Sequence, residues 1–240
     1  MMMLLMVDDN SSGNLEVKEA LNLETLSTDA SIKRSHDFLL EHVSTSLSLT
    51  IMYVDLVGST GMSMKLPADK LVTISRAFSY EMSSVVESYD GYVLKYVGDA
   101  VIAFFPSGSN KYLTYDKAVR CAKSMITVLK NGINPILRKE NCAELQIKIG
   151  MDAGENVVVQ HGYDRSSQID LLGYTMNIAG KITSLTGPNK VSVGDDIYKL
   201  LHSNTQAEFQ ESSSLEDKWK YLDSDTDKIY KVYTLDFENR

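Results

Sequence analysis

The 240-residue chain predicts an α+β fold: a ferredoxin-like βαββαβ core with an antiparallel sheet, preceded by an N-terminal extension. Three observations carry this. An apolar run from Leu49 to Val54 is followed by a stretch of helical period. Residues 92–105 read as two short strands folded back through Val97-Gly98-Asp99. A second long helical pattern is followed by the alternating Leu145-Gln-Ile-Lys-Ile-Gly150.

Taken in order, residues 1–47 are rich in Ser, Thr, Asn and charge, with Leu15, Leu21, Leu26, Phe38, Leu39 and Val43 able to line short amphipathic helices. This segment is expected to be an extension, a linker or a dimer arm, and residues 48–240 one domain. A helix is expected from near Pro67, with Leu71, Ile74, Phe78, Val85 and Val86 on its inner side. The second helix places Ala118, Val119, Ala122, Met125, Ile126 and Leu129 at helical spacing. Beyond residues 145–150, strands are expected at 156–159, 190–193 and 229–235. A helix should follow Asp170-Leu-Leu-Gly-Tyr-Thr-Met-Asn177, with a short one near 197–201.

A formal net charge of -8 and a pI of about 5.0 argue against a nucleic acid or an anionic membrane as partner, since both reward clustered Lys and Arg. The apolar start Met1–Val7 has no basic lead and is far too short to span a bilayer. Cys121 and Cys142 show no zinc or redox spacing and read as reduced thiols, so a cytoplasmic protein is expected.

The chemistry-bearing residues are two aspartates at the edges of apolar runs: Asp55 in Val54-Asp-Leu-Val-Gly-Ser-Thr60, and Asp99 in Gly98-Asp-Ala-Val-Ile102. Either alone is a common turn former. Together they can hold a pair of magnesium ions, which take hard oxygen ligands and complete their shells with water and substrate phosphate. Gly58, Ser59 and Thr60 add backbone amides and hydroxyls suited to a phosphate.

These motifs resemble the class III nucleotidyl cyclases, the family of adenylate and guanylate cyclase catalytic domains. Asp55-Leu-Val-Gly-Ser-Thr60 and Gly98-Asp99 are similar to its two metal-binding signatures, Gly91-Tyr-Val-Leu-Lys95 to its base-reading strand, and Ile149-Gly-Met-Asp-Ala-Gly-Glu155 and Asp170 to Lys181 to its later signatures. The resemblance covers roughly residues 48–202 and implies a fold of class III cyclase type.

It further implies Mg2+ or Mn2+, two ions per site, on Asp55 and Asp99; Lys95 and Asp170 as base-reading residues; and Asn177 orienting the ribose and the transition state. Lys181 stands where the family has an arginine against the α-phosphate, keeping the charge but losing the bidentate fork. Lys218, Lys220 and Lys228 are candidates for a late triphosphate-binding lysine whose usual Lys-Gly turn is absent. No histidine is placed as a base: His36, His42, His161 and His202 read as structural or surface residues.

Lys95 as donor and Asp170 as acceptor suit the adenine edge, whereas guanine presents the opposite polarity. The expected activity is therefore an adenylate cyclase, converting ATP to cyclic AMP and pyrophosphate at the interface of a head-to-tail homodimer. The alternatives are a catalytically weak or inactive nucleotide-binding signalling module, and a cyclase for GTP or a pyrimidine nucleotide. No nucleic acid or membrane partner is expected.

Overall fold

Alternation along the first strand sets the architecture. The computed structural model describes residues 30–108, 110–212, 219–223 and 226–237. In β1 (Ser46–Leu56), Met52, Val54 and Leu56 enter one apolar cluster while Leu49 and Ile51 enter a second. A strand buried on both faces requires a layer on each side.

The layer on the first face is α3 (Ala68–Ser88) and α4 (Lys111–Val128), the two long helices legible in the sequence. Ile74, Phe78, Met82, Val85 and Val86 of α3 and Ala118, Val119, Ala122, Met125 and Ile126 of α4 are buried there. The second face is covered by α1 (30–40) and α6 (Tyr174–Leu185), through Leu39, Met176 and Ala179. Fully burying side chains such as Phe78 and Phe104 contributes roughly 1.5–3 kcal/mol each.

The sheet runs β2-β3-β1-β4-β6-β8-β7, with β5 pairing β4. Its strands are β2 (Tyr92–Val97), β3 (Ala100–Pro106), β4 (Ile147–His161), β5 (Gln168–Leu172), β6 (Lys190–Gly194), β7 (Gln210–Glu211) and β8 (Val232–Asp236). In the four-strand core β2-β3-β1-β4 each strand is antiparallel to its neighbour, the ferredoxin-like order. Beyond them β6 joins parallel to β4, so the extended sheet is mixed.

The 145–150 and 156–159 strand signals are one strand, β4, running through Asp152-Ala-Gly-Glu155. Gly154 sits mid-strand because a Cβ there would lie 2.4 Å from Thr175 Oγ1 of α6. At Gly150, likewise, a Cβ would lie 2.3 Å from Thr183 Oγ1, so both glycines let α6 lie flat on β4. Four elements had no distinct sequence signal: α2 (Ser59–Lys65), the π-turn at Leu129–Ile133 with α5 (Asn134–Lys139), and β5. Short helices α7 (Asp195–Tyr198) and α8 (Ser203–Gln206) lead toward β7.

Toward the C-terminus, Leu222 bridges Ile229 and Asp223 N–H donates to Lys228 O. Trp219 and Tyr230 are buried, and Trp219 Nε1–H donates to Tyr230 O at 2.7 Å. No helix among the described residues is long and apolar enough to cross a membrane.

Candidate active site

Asp55 is the penultimate residue of β1, and Asp99 sits in the turn between β2 and β3. Because Val54 pairs with Val101, the antiparallel register brings both aspartates to the same end of adjacent strands. The turn depends on Gly98 at φ 62, a left-handed conformation that costs glycine little. Gly58 plays the same part after β1 at φ 75, turning the chain into α2, whose N-terminus has no side-chain cap. Ser59 and Thr60 open that helix, with Ser59 O accepting from Ser63 Oγ.

Asp99 Oδ2 is buried without a hydrogen-bond partner among the described residues, and Asp55 Oδ2 lies 3.0 Å from Lys148 Nζ. An orphaned carboxylate oxygen beside a second carboxylate is a donor set that fits a hard divalent cation. No group of three or more His, Cys, Asp or Glu side chains placed to hold a metal ion occurs among the described residues, so these two aspartates are the candidate pair. Lys148, directly opposite Asp55 in the β1–β4 register, was missed in the sequence. Its alternating Ile-Lys-Ile context shows only that it leaves the core face.

The second grouping is Lys95 with Asp170. Lys95 Nζ donates to Asp170 Oδ2 at 2.5 Å, with side-chain exposures of 33% and 16%. The two strands that carry them do not pair with each other. The β4–β5 hairpin instead returns over the second face, where Val158, Ile169 and Leu171 join Leu49, Ile51 and Phe104. Asp170 Oδ1 also accepts from the Leu171 amide at 2.9 Å.

Tyr53 belongs to the same face. Burial raises its phenol's pKa, and the Asp170 charge adds to the effect. A methyl at Gly180 of α6 would touch its ring at 3.6 Å. Asn177 and Lys181 stand one turn apart on the exposed side of α6, and neither makes a side-chain hydrogen bond or ion pair with another described residue.

Of the late lysines, Lys220 and Lys228 are exposed and Lys218 lies outside the described residues. The histidines meet backbone groups or are exposed: His36 Nε2 lies 3.2 Å from Ser167 O, His42 Nδ1 2.8 Å from Phe38 O, and His202 Nδ1 accepts from the Asn204 amide. His161, at the end of β4, is exposed. Cys121 and Cys142 are free thiols, and burial pushes Cys121 far up.

A buried polar centre lies under the tail. Tyr230 Oη–H donates to Asp152 Oδ1 at 2.6 Å, and the Asp196 amide donates to Tyr230 Oη at 3.2 Å. Burial, with the nearby Asp196 and Asp195 charges, pushes the Asp152 carboxyl up to about 8.

Residues 42–234 match the profile of the adenylate and guanylate cyclase catalytic domain. A cytidylate cyclase of Staphylococcus aureus is 25% identical over 193 residues, 78% of this chain and 45% of that protein. A uridylate cyclase of Burkholderia cepacia is 24% identical over 200 residues, 81% of each chain. The crystal structure of the adenylyl cyclase CyaB of P. aeruginosa superposes with a TM-score of 0.66 at 22% identity, covering 80% of this chain and 94% of that one. The chain spans less than half the length of the cytidylate cyclase it matches.

Proposed function

The chain belongs to the adenylate and guanylate cyclase catalytic domain family, and on that premise we propose that it cyclises a nucleoside triphosphate whose base carries an exocyclic amine, CTP in the first place. The observation that carries this reading is the Lys95–Asp170 pair. Lys95 donates to the ring nitrogen and Asp170 accepts from the amine, a polarity that cytosine and adenine share. Uracil and guanine present a carbonyl and a ring N–H there, leaving two part-buried groups mispaired.

The half-buried Tyr53 ring lies in the field of Asp170 and near Gly180, an aromatic neighbour of the pair. The likeness to a cytidylate cyclase of S. aureus supports cytosine ahead of adenine. ATP is the second reading, because its amino edge satisfies the same two residues.

Asp55 and Asp99 are the residues that would hold Mg2+ or Mn2+, which when bound lowers the pKa of the ribose 3'-hydroxyl and neutralises triphosphate charge. Lys148 adds a cation beside Asp55. Asn177 orients the ribose and Lys181 acts as a point charge on the phosphate, less directional than an arginine fork. Both are exposed in the single chain, and Leu172, Tyr174 and Leu222 leave apolar surface uncovered near the start of α6. This supports a head-to-tail homodimer in which α6 of one subunit completes the aspartate site of the other.

The test is product formation from ATP, GTP, CTP and UTP with magnesium or manganese, beside Asp55→Ala and Asp99→Ala. Cyclic CMP lost in both variants supports the reading; cyclic UMP or cyclic GMP as the main product overturns the base assignment. Triphosphate binding without turnover would instead favour a signalling module.

A further inference from the structure

Lys95 and Asp170 reach each other from strands that share no hydrogen bonds with one another, so something must fix their relative position. One element, α1, touches the chain at the start of β2, at Tyr92, and just before β5, at Ser167. We propose that α1 is a strap that sets the alignment of the base-reading pair, with His36 and Phe38 as positioning residues; this rests on the base-reading role given above.

One side of α1 holds the start of β2. Arg34 Nη1–H donates to Gly91 O at 2.8 Å, and the guanidinium lies 4.1 Å over the Tyr92 ring. Phe38 stacks on the same ring at 4.7 Å between centroids, and Ser31 Oγ–H donates to Glu87 Oε1 at 2.6 Å. Tyr92 is three residues before Lys95, and between them the β2–β3 register shifts at Val93/Lys95. An irregular strand aims its side chains less firmly than a regular ladder, which makes an external clamp effective.

The other side holds the hairpin that carries Asp170. His36 Nε2–H donates to Ser167 O at 3.2 Å, three residues before Asp170. Just beyond α1, Ser44 N–H donates to Val158 O and Val158 N–H to Thr45 O, tying the same chain segment to β4. Arg34, His36 and Phe38 lie within about one helical turn, so the helix transmits their spacing as a rigid body. Binary reading of a base edge tolerates misplacement of only about 0.5 Å. The strap therefore acts on discrimination rather than on the chemical step.

The experiment compares wild type, His36→Ala, His36→Gln, Phe38→Leu, Lys95→Ala and, on the exposed side of α1, Lys33→Ala. Equilibrium binding and steady-state kinetics are measured with CTP against UTP and ATP against GTP, with a thermal melt for each protein. His36→Ala should lower amino-over-keto discrimination roughly tenfold through KM, with kcat little changed. His36→Gln, whose amide N–H can still reach the carbonyl, should restore most of it. Phe38→Leu should act in the same direction, and Lys33→Ala should match wild type.

Folded His36→Ala and Phe38→Leu proteins with wild-type discrimination, while Lys95→Ala loses it, would overturn the strap alone. Retained discrimination in Lys95→Ala would overturn the base-reading assignment beneath it. If His36→Ala does not fold, Phe38→Leu and His36→Gln decide by the same ratio.

Discussion

Lys95 Nζ lies 2.5 Å from Asp170 Oδ2 across 75 residues of sequence, which makes one part-buried donor–acceptor pair from two strands that do not pair. Because the two groups act as a unit, their removal should not be additive. Asp170→Ala is expected to lower kcat/KM for CTP by roughly 10- to 100-fold and to flatten the CTP-to-UTP ratio. Adding Lys95→Ala should cost little more. A double-mutant cycle on kcat/KM checks this, and full additivity would contradict it.

Asp99 offers a buried oxygen with no partner among the described residues. Asp99→Asn should therefore leave the melting temperature close to wild type while cutting metal-dependent turnover by roughly 10²- to 10³-fold. Calorimetric titration with Mn2+ in the presence of nucleotide should show the matching loss of metal affinity. Undiminished metal binding would show that the ion sits elsewhere.

Lys181 is exposed on α6 and presents a charge without a fork. Replacing it with alanine should lower kcat by roughly 10²-fold at little cost in stability. Arginine at the same position should preserve or raise kcat. A Lys181→Ala protein with wild-type turnover would remove this residue from the transition state.

Gly150 lies directly beneath α6, where a methyl group would meet Thr183 Oγ1 at 2.3 Å and Thr183 N at 2.4 Å. Gly150→Ala is expected to destabilise the fold by about 1–3 kcal/mol and to displace the helix that carries Asn177 and Lys181. Denaturant unfolding gives the first quantity and kcat the second. A fully active variant would show that α6 can move without consequence.

Asp152 holds its proton far above the ordinary carboxylate value because it is buried near two other carboxylates. Between about pH 4 and pH 8 the folded chain thus binds more protons here than the unfolded chain, and the contribution of this group to stability falls as pH rises. Asp152→Asn keeps an acceptor for the Tyr230 hydroxyl and cannot ionise. Its melting temperature relative to wild type should rise by roughly 10 °C between pH 5 and pH 8. A pH-independent difference between the two proteins would show that Asp152 is ionised throughout.

The local patterns were legible because they depend on short-range periodicity. A continuous apolar run marked β1, alternation marked the opening of β4, and spacings of three and four marked α3 and α4, whose apolar stripes are the core as expected. Gly98-Asp99 announced the hairpin turn, and the aspartates stood out as polar residues at the ends of apolar runs. The signals for α2, α5 and β5 were too short to carry a period, and Gly154 read as a break because its neighbour, Thr175, is remote in sequence.

By itself, then, the sequence determined the order of the core strands and the two long helices and the residue types that carry the chemistry, since each is encoded within a few residues. Only the tertiary structure decided which of them meet: Lys95 with Asp170, Asp55 with Lys148, and His36 with Ser167, 131 residues away. Those contacts depend on strand register and on how far β4 curls over the second face. Both are set by the packing of whole layers and not by any local run of residues.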